Sequence, residues 1–284
     1  MTQAWPALAA PLLFGLGTVA AKGLLADLTP LLLAGLLYLG SGLGLAAVWL
    51  VRRASGERAG ALERSDLKWL AGAVLCGGVA GPVLMMSGLA RTSASAASLL
   101  LNLEASFTAL LAWTLFGEKA TARLAGGLAL ALAGAVALSW PEGGDWAAAR
   151  WQGALLIVAA CFAWGLDNNL SQRISGKDPV SIAAVKGLVA GAVNCAFAFG
   201  AGASLPGSAL LAKAAALGFV SYGLSLVCFI LSLRRIGSAR TGLFFSLAPF
   251  FGATAGIVFL REPVTGRLLL GAALMAAGAA LALA

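Results

Sequence analysis

Trp164, Asp167, Asn168 and Ser171 follow i, i+3, i+4, i+7 spacing inside an otherwise apolar run, so a helix would line them along one face. That face joins a flat indole to carboxylate, amide and hydroxyl groups, a set suited to an amphipathic zwitterion. Two readings are open. In one, Trp164 packs the apolar or aromatic part of a solute while the polar groups hold its charged end. In the other, the polar residues are an interhelical hydrogen-bond cluster and Trp164 fills core. Lys186 lies eight positions into the next apolar run, at about the depth of Asp167. A buried ion pair between them is the preferred reading, since an unpaired lysine there would lose its proton. The alternative is that Lys186 attracts a solute carboxylate.

A second cluster lies upstream. Ser95, Ser98 and Asn102 share a face at i, i+3, i+7, and Glu104, two residues beyond Asn102, points about 200° round the helix from it. Both faces cannot point at one centre, so either Asn102 contacts solute and Glu104 packs, or the reverse. Phe14 and Thr18 match Trp164 and Asn168 under a shift of 150 residues, which would give a pseudo-symmetric cavity an aromatic wall at each end. Tyr38 and Tyr222 could add to that wall or serve as belt and core residues. Asn194 lies deeper on the helix of Lys186, about 80° round from it. What is missing matters as much. Without histidine there is no imidazole metal site or histidine proton relay. Cys76, Cys161, Cys195 and Cys228 are scattered in apolar runs and read as small core residues. No Walker A motif occurs, and the glycine-rich fragment at residues 15–23 lacks the strand context of a nucleotide site. Neither a cofactor nor an enzymatic activity is expected.

The elements that must carry these residues follow from composition. Of 284 residues 61% are hydrophobic and 11% charged, against the 45–50% and 25% of a typical soluble domain. The chain reads as an integral membrane protein. With about 20 residues needed per crossing, cuts at charges, prolines and polar clusters give ten spans. They are Pro6–Leu25, Pro30–Val51, Leu67–Ala90, Ala94–Phe116, Thr121–Trp140, Trp151–Gln172, Pro179–Gly202, Ser208–Leu233, Ser238–Leu260 and Val264–Ala284. With the N-terminus inside, the inner loops carry 12 basic residues, among them Arg52, Arg53, Arg58, Arg64, Lys68, Arg173 and Lys177, and the outer loops 6, so both termini are expected in the cytoplasm. Seven of eight tryptophans fall at span ends, as an interfacial belt requires, and only Trp164 is deep. The pairs Gly40/Gly44, Gly77/Gly81, Gly187/Gly191 and Gly252/Gly256 would let helices approach closely. Pro82 and Pro249 should kink the third and ninth spans, making them and their neighbours candidates for bending.

Shifting the sequence by 144 residues aligns Leu99, Leu103, Phe107, Glu118, Thr121, Arg123 and Gly127 with Leu243, Leu247, Phe251, Glu262, Thr265, Arg267 and Gly271. The Glu-x-x-Thr-x-Arg register is the informative part. Five spans per half is an odd number, so the second copy would enter the membrane inverted, an arrangement found in alternating-access transporters. The segments Ala97–Gly127 and Ser238–Gly271 resemble the two signature copies of the EamA family of the drug/metabolite transporter superfamily. The resemblance implies an all-α membrane protein of ten transmembrane helices in two inverted five-helix repeats around a central cavity. Residues 1–140 would form the first repeat, 141–150 a linker and 151–284 the second repeat. It further implies a secondary exporter of small metabolites, of the neutral or aromatic amino-acid kind, in a bacterial-type inner membrane. The rival is a cation or multidrug exporter using Glu104 and Asp167 as counter-charges. The expected partners are a small-molecule substrate and the lipid bilayer, without nucleic acid, and the expected state is a monomer.

Overall fold

The computed structural model describes residues 5–56, 60, 62–116, 122–140, 151–174, 176–236 and 244–283. The linker 141–150, Glu118, Thr121 and the start of the expected ninth span lie outside them. Among the described residues every regular element is helical. The first helices are α1 (Trp5–Leu24) and α2 (Pro30–Ala54). Next come α3 (Leu67–Ala73), a π turn over Val74–Ala80 and α4 (Gly81–Leu89), which run on as one apolar rod. They are followed by α5 (Ala94–Leu100), α6 (Asn102–Phe116) and α7 (Ala122–Ser139). Beyond the linker come α8 (Trp151–Gln172), α9 (Pro179–Gly200), α10 (Ser208–Leu217), a second π turn over Gly218–Leu224 and α11 (Ser225–Ile236). The last two are α12 (Ala248–Leu260) and α13 (Gly266–Leu283).

Seven of these rods are long and apolar enough to cross a membrane, and three shorter apolar helices accompany them at Ala125–Leu138, Ala248–Leu260 and Gly266–Leu281. Large apolar side chains are exposed on the outside, including Leu43, Leu75, Val258, Phe259 and Leu269. That surface needs lipid, because helices with all backbone bonds internal are what a bilayer accepts. The interior is tightly packed, with Leu33, Leu37, Met85, Met86, Leu89, Leu99, Leu100, Leu103 and Ile157 fully buried. Local chemistry sets the helix starts. Thr29 caps α2 by accepting from Leu32 N at 3.4 Å, and Asp178 caps α9 by accepting from Val180 N at 3.3 Å. In both cases proline follows at the first helical position, where its missing N–H costs nothing.

The rods depart from plain spans at four places. Two contain the π turns, α5 and α6 part at Leu101, and α12 begins only after a turn at residues 246–247. Pro249 is the second residue of α12 and follows directly on a turn at 246–247 that separates it from the helical Phe244 and Phe245, so the ninth span is interrupted next to this proline. The two π turns are themselves 144 residues apart. Helix α2 lies along α9, α7 lies along α13, and α8 packs on α4 and α6 while α1 packs on α11 and α12. On the α7–α13 seam, a Cβ at Gly278 would meet Gly127 O at 2.7 Å and one at Gly134 would meet Gly271 O at 3.0 Å. These two contacts exchange under the same shift. At one end of the bundle, Lys177 pairs with Glu63 and lies 3.6 Å from Asp66, and Asp178 N donates to Gly60 O at 3.1 Å. The polar stretch after α2 is thereby docked on the turn before α9.

Candidate functional site

Pro82 organises the centre of the molecule by what it lacks. Having no N–H, it donates to neither Gly77 nor Gly78, its i−5 and i−4 acceptors, while Gly81 N reaches back to Cys76 O in the π register. A bilayer offers these carbonyls no water, so other groups must donate to them. Three helices do so. Tyr38 of α2 donates its hydroxyl to Gly77 O at 2.7 Å, and Trp164 of α8 donates Nε1 to the same oxygen at 3.0 Å. Asn194 of α9 donates Nδ2 to Gly78 O at 3.0 Å. Trp164, 6% exposed, closes a backbone gap with its Nε1.

The glycines of this turn seat charge as well. A Cβ at Gly77 would lie 1.8 Å from Asp167 Oδ2, and one at Gly81 would lie 2.5 Å from Trp164 Nε1. The pair anticipated for helix contact is occupied by side chains of α8 pressing on bare backbone. Asp167 is buried and receives Lys186 Nζ of α9 at 2.5 Å on both carboxylate oxygens, with Ser171 Oγ donating to Oδ1 at 2.9 Å. The ion pair preferred from depth alone is present, and its third partner, Ser171, comes from the same helical face.

Asn168 turns the other way. It is exposed and donates Nδ2 to Glu104 Oε1 at 3.0 Å and to Thr108 Oγ1 at 3.1 Å, both on α6. Thr108 returns its hydroxyl to Glu104 O at 2.8 Å, and Asn169 donates to Thr108 O at 2.9 Å. Glu104 is half-buried and within electrostatic reach of both Asp167 and Lys186. Asn102, its rival, is buried and donates Nδ2 back to Leu99 O at 3.0 Å, spanning the break at Leu101. Ser98 is fully buried, its Oγ without a partner among the described residues, and lies against Gly252 of α12. Thr18 is buried on α1.

Half-buried rings continue from Tyr38. Its ring centroid lies 5.7 Å from Tyr222, which lies 5.8 Å from Phe14. Phe14 lies 5.7 Å from Phe245, and Phe245 5.0 Å from Phe229. The ladder joins α1, α2, the second π turn, α11 and the residues before α12. The structure therefore gathers Trp164, Asp167, Asn168, Ser171, Lys186, Glu104, Tyr38, Tyr222 and Phe14, whereas the side-chain bond of Asn102 goes to Leu99 O and Ser98 Oγ makes none among the described residues. Thr108, Asn169, Phe229 and Phe245 join them without having been singled out from sequence, because none falls on the faces marked by spacing and their partners come from other helices. Gly77 carried a readable one, a proline five residues downstream.

The pattern of the EamA-like transporter family matches residues 3–140 and 151–284. A protein of Methanothermobacter thermautotrophicus named an uncharacterized transporter is 34% identical over 215 residues, covering 73% of this chain and 62% of the relative. The matched stretch thus spans less than two thirds of that relative's length. A protein crystal structure superposes with a TM-score of 0.68 at 23% identity, over 99% of this chain and 96% of that one, a likeness of fold alone. With apolar rods, a lipid-facing surface and family matches over nearly its whole length, this chain belongs to the EamA-like transporter family.

Proposed function

We propose that the protein is a secondary transporter exporting small amphipathic metabolites, neutral or aromatic amino acids first among them, by alternating access. In this reading ten helices form two inverted five-helix halves, 1–140 and 151–284, in a bacterial-type inner membrane with both termini cytoplasmic. The 144-residue register, the two π turns at that spacing and the exchanged glycine contacts on the α7–α13 seam support the inverted halves. The basic residues around Arg52–Lys68 and Arg173–Lys177 cluster at one end and support its cytoplasmic assignment.

One observation carries the substrate class. Asp167 is neutralised by Lys186, whereas the half-buried Glu104 is held by the uncharged amide of the exposed Asn168. A solute ammonium would take the place of Asn168 Nδ2 on Glu104, which frees that N–H for the solute carboxylate, and the apolar part would meet Tyr38, Tyr222 and Phe14. Trp164, Asp167, Ser171 and Lys186 form the supporting wall. The cation-exporter reading needs two counter-charges, and the Lys186 pair removes one of them.

The test is transport in proteoliposomes loaded with radiolabelled aromatic and neutral amino acids or with organic cations, with and without a pH gradient. Efflux of an amino acid is expected, with Asn168→Ala raising KM about tenfold, the effect of losing one charged or amide contact. Efflux of cations alone would overturn the substrate class, and no efflux of any solute would overturn transport.

A further inference from the structure

At the end of the bundle remote from Lys177, two opposite charges grip one hairpin. Glu262, in the turn between α12 and α13, accepts Ala94 N on Oε1 at 2.6 Å and Ser95 N on Oε2 at 2.8 Å. These are the first amide groups of α5, where a carboxylate meets both unpaired donors and the positive helix end. Across the hairpin, Lys22 at the end of α1 donates Nζ to Leu89 O at 2.6 Å and to Thr92 O at 2.8 Å, at the carbonyl end of α4. Each charge has the sign its helix end attracts, and the two come from opposite halves of the chain.

The backbone that delivers Glu262 is itself constrained. Arg261 sits at φ 53°, the one non-glycine residue in the left-handed region among the described residues, and Glu262 N turns back toward Gly256 O at 3.5 Å. A left-handed residue is a common way to end a helix, and here it turns the chain so that Glu262 comes next to the start of α5. Beneath the grip the helices leave no gap. A Cβ at Gly256 would lie 2.9 Å from Ser95 N, one at Gly252 would lie 2.3 Å from Ser98 Oγ, and one at Gly15 would lie 2.5 Å from Ala248 O. Ser95 and Ser98 are consequently buried at 2% and 0%.

We infer that Glu262, with Lys22 opposite, is the latch that holds this end of the path shut, and that the carboxylate must leave the start of α5 each time the end opens. The inference rests on the transport reading for the meaning of closure, and under the topology proposed above this is the external end. It also gives a role to each residue of the second copy of the Glu-x-x-Thr-x-Arg pattern. Glu262 latches α5, Thr265 Oγ1 accepts Leu268 N at 3.2 Å as the cap of α13, and Arg267 donates to Trp140 O at 2.7 Å beyond α7. Each motif residue satisfies a helix end, and only Glu262 does so across to α5.

The latch is tested without substrate. In detergent-solubilised full-length protein, Ser95→Cys is reacted with a hydrophilic maleimide and labelling at residue 95 is read by peptide mass. Glu262→Gln is expected to raise the labelling rate about tenfold, because an amide cannot accept from both N–H groups, while Thr265→Ala leaves it within about twofold. An unchanged rate with Glu262→Gln, or an equal rise with Thr265→Ala, would overturn the latch. Should Glu262→Gln fail to fold, Lys22→Gln carries the test with the same expected rise. A protein that shows the labelling change but moves no solute keeps the latch and loses the transport reading, so the two fail separately.

Discussion

Asp167 holds a carboxylate in the middle of an apolar bundle, and its charge persists there because Lys186 and Ser171 meet three of its lone-pair directions. Removing one partner leaves the other charge uncompensated, which costs about 3–5 kcal/mol for a buried pair. Asp167→Asn and Lys186→Met should each lower thermal stability by that order, and the double variant by much less than the sum. Melting curves of the four proteins in one detergent measure the coupling. Asn168→Ala should leave the melting temperature nearly unchanged, since its contacts with Glu104 and Thr108 lie at an exposed position. Depth and spacing made the Asp167–Lys186 pair legible in the sequence, because a buried charge demands an opposite one. The division of labour on the face of α8 was not legible. Whether Trp164 meets a solute or a carbonyl depends on what α3 and α4 present to it.

Two spans are jointed by π turns, and the joint in the third has a chemical cause. Pro82 supplies no donor, the π turn shifts the bond of Gly81 to Cys76 O, and Tyr38, Trp164 and Asn194 complete what is left. Restoring a backbone donor should make those side chains partly redundant. Asn194→Leu is expected to cost about 1–3 kcal/mol in the native background, the penalty for an unsatisfied buried carbonyl, and about 1 kcal/mol less in a Pro82→Ala background, where the restored backbone N–H can reach Gly78 O. Stability measurements on the double-mutant cycle decide it, and strict additivity would refute the account. The sequence pointed to a joint through Pro82 but could not tell a kink from a π turn. At Pro249 the break falls just upstream, at residues 246–247, because a proline marks where full helical bonding fails and not on which side the break will sit.

Across the whole molecule the polar end that carries the basic loops is tied by contacts between distant segments. Lys177 bonds Glu63, and that hydrogen bond holds its ammonium above the ordinary lysine range. A pKa raised in the folded state means that the contact contributes fully below the unfolded lysine value of about 10.4 and is lost as pH rises through the folded value. The docked loops should therefore be insensitive to pH between about 6 and 9, and Glu63→Gln should move the Lys177 titration down, as the nitrogen chemical shift of labelled lysine would record. By itself the sequence determined the environment, the helical class and the repeat register. Those follow from local quantities: the transfer cost of charge into lipid, the 20-residue length of a crossing and the one-dimensional spacing of like residues. The tertiary structure alone decided which polar groups are spent on the fold and which stay accessible. Trp164, Asn194 and Glu262 satisfy backbone groups 87, 116 and 167–168 residues away, while Asn168, bonded to the half-buried Glu104, remains exposed. A hydrogen bond is satisfied by proximity in space, and proximity between residues so far apart in the chain exists only once the helices have packed.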